Sequence, residues 1–292
     1  MDVSIIIVNY NTKELLRQCL NSVFEKTQDI DFELIVVDNA SVDGSQQMMK
    51  ADFPNVRLIE SPENLGFGKA NNLGAIYASG KYLFLLNSDT ILLNNAVKIL
   101  SDFLKDNPNA GICGGNLYDE NHQPSYSYRM FLPSVFWEMN DFFFCKPEIF
   151  LFGKNRQFNC TNYIRKVGYI TGADLMIRLD LFNKISGFDP DFFLYYEETE
   201  LTYRVKKMGY GVYNIPQAEI IHLDGKSFSN DEYKVKLFLA HRNIFYKKTH
   251  PRSMFLSNIL LLLTALFRCF LFKILRRPER LNYWKFVAKN IY

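Results

Sequence analysis

Four short apolar runs, Val3 to Asn9, Phe32 to Asp38, Val56 to Glu60 and Tyr82 to Leu86, alternate with helical patterns over Lys13 to Glu25, Ser45 to Lys50, Phe67 to Ala78 and Asn95 to Asn107. Strands separated by helices form βαβ units and hence a parallel sheet. The runs Leu34-Ile35-Val36-Val37 and Tyr82-Leu83-Phe84-Leu85-Leu86 show no polar alternation, so both faces of that sheet must be covered. With 292 residues and 48% hydrophobic content the chain can build such a core. In open parallel sheets ligands gather beyond the carboxyl ends of the strands. There the sequence places Asn9-Tyr10-Asn11, Asp38-Asn39-Ala40-Ser41, Glu63-Asn64-Leu65-Gly66 and Asn87-Ser88-Asp89-Thr90, so four polar strand ends are predicted to converge on one crevice.

Further along, Gly114-Gly115 reads as a turn, and residues 122–165 form an aromatic insert of the kind that shapes a substrate site. Val167 to Arg178 reads as one strand with Gly172 inside it. Asp180 then caps a helix from Leu181 to Ile185, which Gly187 stops. A helix to about Met208 ends at Gly209, and an extended run from Tyr213 to His222 follows.

Charge is unevenly spread. Residues 241–292 carry 11 Lys and Arg against the single acid Glu279, so the remainder is acidic. An acidic body with a basic, apolar tail is not the footprint of a nucleic-acid binder. Five widely spaced cysteines lack zinc-site spacing and imply reduced thiols. No basic leader precedes the first strand, so the expectation is a cytoplasmic body without an export signal.

Several side chains suit chemistry. Glu197, Glu198 and Glu200 follow the aromatic run Phe192-Phe193-Leu194-Tyr195-Tyr196. They either serve a metal, a donor or a reacting proton, or simply open a helix, where acids favour the positive end of the dipole. Asp38 can accept hydrogen bonds from a ribose or base, or brace its turn while Asp43 or Ser41 caps the next helix. Gly66 and Gly68 let backbone amides approach a diphosphate, with Lys69 beside them, or merely make a tight strand-to-helix turn; the spacing is neither Rossmann nor Walker. Asp89 ends a strand so apolar that it calls for a partner such as a hard divalent cation. His222, before Leu223-Asp224-Gly225-Lys226-Ser227, is either structural or a contact to metal or diphosphate.

The ordered series VDNASVDGS, ENLGFGKANNLG, LLNSDT, TGADLMIRLDLF, GFDPDFFLYYEETEL and the later His222, over roughly residues 3 to 245, resembles the inverting glycosyltransferase family two. Within it the chain is most similar to bacterial rhamnosyltransferase-like members of polysaccharide assembly. The resemblance implies an α/β GT-A fold: a Rossmann-like, mostly parallel central sheet flanked by helices. The catalytic domain would span residues 1–245, with a nucleotide-sugar half over about 1–120 and an acceptor half over about 121–245. It implies a nucleoside-diphosphate-sugar pocket at Asn9, Asp38, Asn64, Gly66, Lys69, Asn71 and Ser88. A divalent metal, Mg²⁺ or Mn²⁺, would sit at Asp89, the last position of the family's aspartate-any-aspartate motif. Asn87 replaces the first carboxylate, and His222 is the candidate replacement ligand. Glu198 stands where the family carries its catalytic base, usually an aspartate. Gly172, Asp174, Glu197 and Glu200 are the implied acceptor contacts, and the acceptor would be a glycan or lipid-linked.

Two other readings stay open. A sugar-phosphate nucleotidyltransferase would want a basic glycine-rich signature near the N-terminus, and Asn9-Tyr10-Asn11 has neither feature. A noncatalytic carbohydrate-binding or scaffold protein is allowed by the changes at Asn87 and Glu198. The aromatic residues from Tyr126 to Phe144 either stack on sugar rings or pack a core.

In the tail, residues 246–292, the apolar run Met254 to Phe267 is interrupted by Asn258 and followed by Arg268. It falls short of the roughly 20 unbroken residues that a membrane span needs. With Lys273, Arg276, Arg277 and Arg280 beyond it, an interfacial helix on an anionic leaflet is expected, placing the enzyme peripherally at the cytoplasmic membrane face. The alternative is a helix buried against the catalytic body or against a second copy in a homodimer.

Overall fold

The computed structural model describes residues 1–223 and 231–291, which fall into two compact units. The run from Asp224 to Ser227 therefore lies outside the described residues. In chain order the strands are β1 Val3–Asn9, β2 Phe32–Asp38, β3 Arg57–Glu60, β4 Tyr82–Asn87, β5 Thr90–Leu92, β6 Ala110–Tyr118, β7 Tyr128–Arg129, β8 Arg165–Lys166, β9 Tyr169–Ile170, β10 Asp174–Arg178 and β11 Gly211–His222. The helices are α1 Lys13–Lys26, α2 Ser45–Asp52, α3 Gly66–Ala75, α4 Ala96–Asp106, α5 Val135–Phe142, α6 Lys146–Phe152, α7 Leu179–Lys184, α8 Glu197–Lys207, α9 Asp231–Thr249, α10 Met254–Ile274 and α11 Pro278–Lys289.

The first unit comprises Met1–Met130, Lys154–Phe193 and the segment that begins at Glu197. Its main sheet has the order β3-β2-β1-β4-β10-β6-β11-β5, with β8 added on β11. The predicted parallel core is present: β1 pairs in parallel with β2 and β4, and β2 with β3. Ile5, Ile7, Val36 and Phe84 are buried in a cluster with Leu16 and Leu20 of α1, while Ile6, Ile35, Leu83 and Leu85 belong to a second cluster with Phe188 and Leu201. Each such side chain contributes about 1.5–3 kcal/mol on burial. Two buried faces explain why these strands lack polar alternation. The register aligns Asn9 with Asp38 and Val8 with Asn87, which brings the polar strand ends side by side.

Three local expectations are corrected. Gly114 and Gly115 lie inside β6 and turn nothing. A Cβ on Gly114 would come within 2.5 Å of Ile170 Cγ2, and one on Gly115 within 2.4 Å of the Ala218 carbonyl oxygen, so glycine serves close approach there. The segment from Val167 to Arg178 is broken around Gly172: β9 pairs with β7 in a separate ribbon, whereas β10 enters the main sheet antiparallel to β4 and β6. Finally, α7 starts at Leu179 with Arg178 as its cap, and Asp180 accepts from the Leu181 amide within the first turn.

The second unit contains Phe131–Gly153, Leu194–Tyr196 and the helices α9 to α11. The tail helix is longer than its apolar run suggested: α10 continues through Arg268, and its 21 residues are long and apolar enough to cross a bilayer, with a third of its most apolar 18-residue window buried. Arg268 is accommodated because its guanidinium meets the Asp141 carboxylate at 3.0 Å and lies over the rings of Phe144 and Trp284. Deeper in the unit, Arg242 donates to Glu138 at 2.7 Å and 3.0 Å and to Asn258 Oδ1 at 2.7 Å, and the Tyr246 hydroxyl donates to the same carboxylate at 2.9 Å. Glu138→Ala strands the buried Arg242 charge and is expected to destabilise the protein by about 3–5 kcal/mol. A denaturation midpoint equal to that of the unaltered protein would remove this pair from the account of the unit's stability.

Candidate active site

The first unit assembles its strand ends through a connected hydrogen-bond chain. Asn9 Nδ2 donates to Asp38 Oδ1 at 2.8 Å and to Ser41 Oγ at 3.0 Å, and Asn9 Oδ1 accepts from Thr12 Oγ1 at 2.7 Å. Thr12 Oγ1 lies 2.8 Å from Ser88 Oγ, joining the ends of β1 and β4. Asp38 Oδ2 accepts from the Ser41 amide and from Gln46 Nε2, so this carboxylate braces the turn into α2. Asp43 accepts from the amides of Ser45 and Lys13.

The loop into α3 is held as tightly. Asn64 Oδ1 accepts from the Gly66 amide and from Asn39 Nδ2, while Asn39 Oδ1 accepts from the Leu65 amide. Gly66 has φ of +78°, and a Cβ there would sit 2.2 Å from the Phe193 carbonyl oxygen. The same oxygen accepts from the Phe67 amide at 2.9 Å, so the loop is fastened four residues ahead of Glu197. A Cβ on Gly68 would lie 3.6 Å from Glu197 Cβ, and one on Gly172 would lie 3.5 Å from the Phe67 ring and 4.0 Å from Glu198 Cβ. The N-terminal turns of α3 and α8 and the break at Gly172 thus meet. Lys69 is exposed on α3, and Asn71 is buried with Nδ2 donating to the Phe67 carbonyl.

Both residues before α8, Tyr195 and Tyr196, have left-handed backbones with φ of 72° and 71°. Bulky side chains reach that region at a cost of about 1–3 kcal/mol each, which concentrates strain where the acidic run begins. The three glutamates then differ sharply. Glu197 is buried, its Oε2 has no hydrogen-bond partner, and burial together with the neighbouring Glu198 holds its carboxyl well above the usual range. Glu198 is half-buried, accepts from Thr199 Oγ1 at 3.1 Å, and is raised chiefly by burial. Glu200 is buried against Arg204, whose guanidinium donates to it at 2.6 Å, 2.7 Å and 2.9 Å and also reaches the Gly187 carbonyl. Asp174 is fully buried in β10, with Oδ2 accepting from the Gly115 amide at 2.5 Å, and burial pushes it well up. Gly172, Glu197 and Glu198 therefore come together, whereas Asp174 and Glu200 are committed to the fold.

At the end of β4, Asp89 Oδ1 lies 3.3 Å from His222 Nε2, and Asn87 Nδ2 lies 3.4 Å from the same nitrogen. Antiparallel pairing of His222 with Thr90 produces this approach. Among the described residues no three His, Cys, Asp or Glu side chains gather in one cluster. The donors are one carboxylate and one imidazole with an amide beside them, a set that fits a divalent cation completed by phosphate oxygens and water. Sequence reasoning overlooked Thr12 and Asn39. Thr12, at the start of α1, stands in no motif, and Asn39, although inside VDNASVDGS, was passed over in favour of the charged Asp38 beside it.

The profile described as glycosyl transferase family 2 matches residues 4–167, more than half of the chain. N-acetylglucosaminyl-diphospho-decaprenol L-rhamnosyltransferase of Mycobacterium tuberculosis is 27% identical over 248 residues, which cover 78% of this chain and 78% of that one. Among solved structures, GalNAc-T7 with UDP, GalNAc and Mn²⁺ aligns with a TM-score of 0.61 at 15% identity, covering 84% of this chain and 50% of that one. Mannosyltransferase PcManGT from Pyrobaculum calidifontis, in complex with GDP-Man and Mn²⁺, aligns with a TM-score of 0.57 at 16% identity, covering 90% and 71%. At these identities the likeness is one of fold, and the fold is GT-A.

Proposed function

The chain belongs to glycosyl transferase family 2 and is a nucleotide-sugar-dependent glycosyltransferase, and from that premise we propose that it transfers its sugar with inversion to a glycan or lipid-linked acceptor in cell-surface polysaccharide synthesis. The observation that carries this reading is that Glu198 alone of the three glutamates is only half-buried and stands beside Gly172 and the loop fastened at Gly66, while Glu197 and Glu200 are buried. Rhamnose as the sugar and a polyprenyl diphosphate as the acceptor's anchor are supported by the name of the mycobacterial relative.

Inverting transfer needs a base on the acceptor side and charge stabilisation on the leaving-group side. Glu198 takes the proton of the acceptor hydroxyl as that oxygen attacks the anomeric carbon. The bond from that carbon to the diphosphate breaks on the opposite face, and the electron pair leaves with the nucleoside diphosphate. Amides at the start of α3, together with Lys69, receive the diphosphate, while Asn9, Asp38, Asn64 and Ser88 shape the nucleoside pocket and Asn71 secures the first turn of α3. Asp89 and His222, with the Asn87 amide beside them, would hold Mg²⁺ or Mn²⁺, which supplies positive charge to the leaving diphosphate. Gly172 and Glu197 flank the acceptor position next to Glu198.

A thermal-shift screen of nucleotide sugars with metal tests the donor, because a ligand at 100 times its Kd stabilises the fold by about 2.7 kcal/mol. Proton NMR of the product's anomeric configuration tests inversion, and a retained configuration refutes it. His222→Ala is expected to weaken Mn²⁺ binding about tenfold or more, read by electron paramagnetic resonance without turnover. Equal Mn²⁺ affinity in that variant would take His222 out of the metal site.

The body works peripherally at the cytoplasmic membrane face in this reading, held there by α10 and the basic residues after it. The packing of α10 against α5, α9 and α11 within its unit supports a helix lying on the bilayer over one crossing it.

A further inference from the structure

The second unit contains a helical hairpin with its polarity inverted. In α5 and α6 the buried side chains include Glu138, Asn140 and Glu148, at 5%, 6% and 1% exposure, whereas Phe143, Ile149 and Leu151 are about half exposed and Phe150 is 90% exposed. The inversion is built into the hairpin. Asn140 Oδ1 accepts from the Glu148 amide at 3.0 Å, Asn140 Nδ2 donates to the Glu148 carboxylate at 3.2 Å, and the turn passes through left-handed Phe144 and Cys145. Packed polar groups inside and large apolar groups outside are the arrangement of a surface that is not meant for water.

The long tail helix repeats the pattern. Ser257, Asn258 and Thr264 fall on the buried stripe of α10, while Leu263, Phe267, Phe270 and Ile274, spaced at helical repeats, are exposed. The two apolar surfaces meet, because the Phe267 ring lies 5.9 Å from that of Phe142 and 6.1 Å from that of Phe144. Exposed cations lie on or just beyond these elements: Lys146 opens α6, Lys273 is in the last turn of α10, Arg276 and Arg277 follow that helix, and Arg280 is in α11.

We propose that the α5–α6 hairpin is a second membrane-seating element, which inserts Ile149, Phe150 and Leu151 into an anionic leaflet alongside the exposed stripe of α10. The proposal rests on the peripheral-membrane reading and extends it from the tail to the insert between β7 and β8. A cationic border around an apolar face matches anionic headgroups above acyl chains. A second copy of the chain matches it poorly, because it would bring the same cations to the interface. The inversion also gives the aromatic insert a role: Phe131 packs edge-on against Phe136 and Phe152, whereas Phe150 stays outside that packing and supplies insertion depth.

Cosedimentation of the full-length chain with vesicles of phosphatidylcholine and phosphatidylglycerol tests the proposal, with Phe150→Glu and Phe270→Glu compared at equal thermal midpoints. Each substitution is expected to lower the vesicle partition coefficient about tenfold or more, since each removes one large inserted side chain. In addition, Phe150→Trp should gain a fluorescence component that brominated acyl chains quench. If Phe150→Glu binds as the unaltered protein does while Phe270→Glu does not, the hairpin proposal falls and the tail reading stands. If both bind normally, both fall. A dimer in solution that Phe150→Glu dissociates, with vesicle binding unchanged, assigns the face to a second copy and overturns the proposal.

Discussion

Glu198→Gln lowers kcat by about two to four orders of magnitude while leaving the donor dissociation constant within about twofold, the expected signature of a lost general base. Glutamine keeps the side chain's length and its place beside Gly172 but accepts no proton. The neighbouring substitutions separate this chemistry from folding. Glu200→Gln weakens the Arg204 pair, so its main effect is a lower thermal midpoint. Burial holds the Glu198 carboxyl above the ordinary glutamate value of 4.5. A base must be ionised, so activity falls as pH drops through that raised value, and the acid limb of kcat lies above the one a solvated glutamate would give. An acid limb at the ordinary glutamate position, or near-normal turnover by Glu198→Gln, assigns the proton transfer elsewhere. Glu198→Asp restores the residue type usual at this position in the family and is expected to keep more activity than the glutamine variant.

The parallel half of the sheet was legible because β1, β2 and β4 are apolar on both faces, and only a doubly covered parallel sheet asks for that. Nothing local announced the insertion of β10 between β4 and β6, since strand order depends on contacts between residues far apart in the chain. Gly114-Gly115 misled for a related reason. A glycine that turns a chain and one that admits a neighbouring backbone look alike in sequence, and only the Ala218 carbonyl distinguishes them. At the site, residue types were readable but commitments were not. Asp38 and Glu200 carry the same charge as Glu198, yet the first is taken up by Asn9, Ser41 and Gln46, and the second by Arg204. The inverted hairpin was hidden as well: an aromatic run gives no sign of whether its rings face inward until the buried partners, here Asn140 and Glu148, are known.

Gly66→Ala is expected to destabilise the protein by about 3–5 kcal/mol and to abolish detectable donor binding, an effect on fold and function together. The backbone there is left-handed, and the added methyl would sit 2.2 Å from the Phe193 carbonyl oxygen and 2.7 Å from its ring. A rotamer change moves the ring but leaves the carbonyl, so either the α3 loop or the segment before α8 must shift. Either shift breaks the hydrogen bond from the Phe67 amide to the Phe193 carbonyl and separates the amides proposed to receive the diphosphate from the acidic pair. At roughly 2–4 °C per kcal/mol for a protein of this size, the midpoint falls by about 6–20 °C. Gly68→Ala is the control, because its backbone is not left-handed and the atoms nearest its methyl would be Phe188 Cβ and Cγ, at 3.0 Å and 3.3 Å, and Glu197 Cβ at 3.6 Å, with no approach as short as that at Gly66. A small loss of stability at Gly68 with a large one at Gly66 identifies the Phe193 carbonyl as the point where the loop into α3 is fastened to the segment before α8. Equal effects at the two positions would instead mean that general crowding along α3, and not that fastening, governs the geometry of the site.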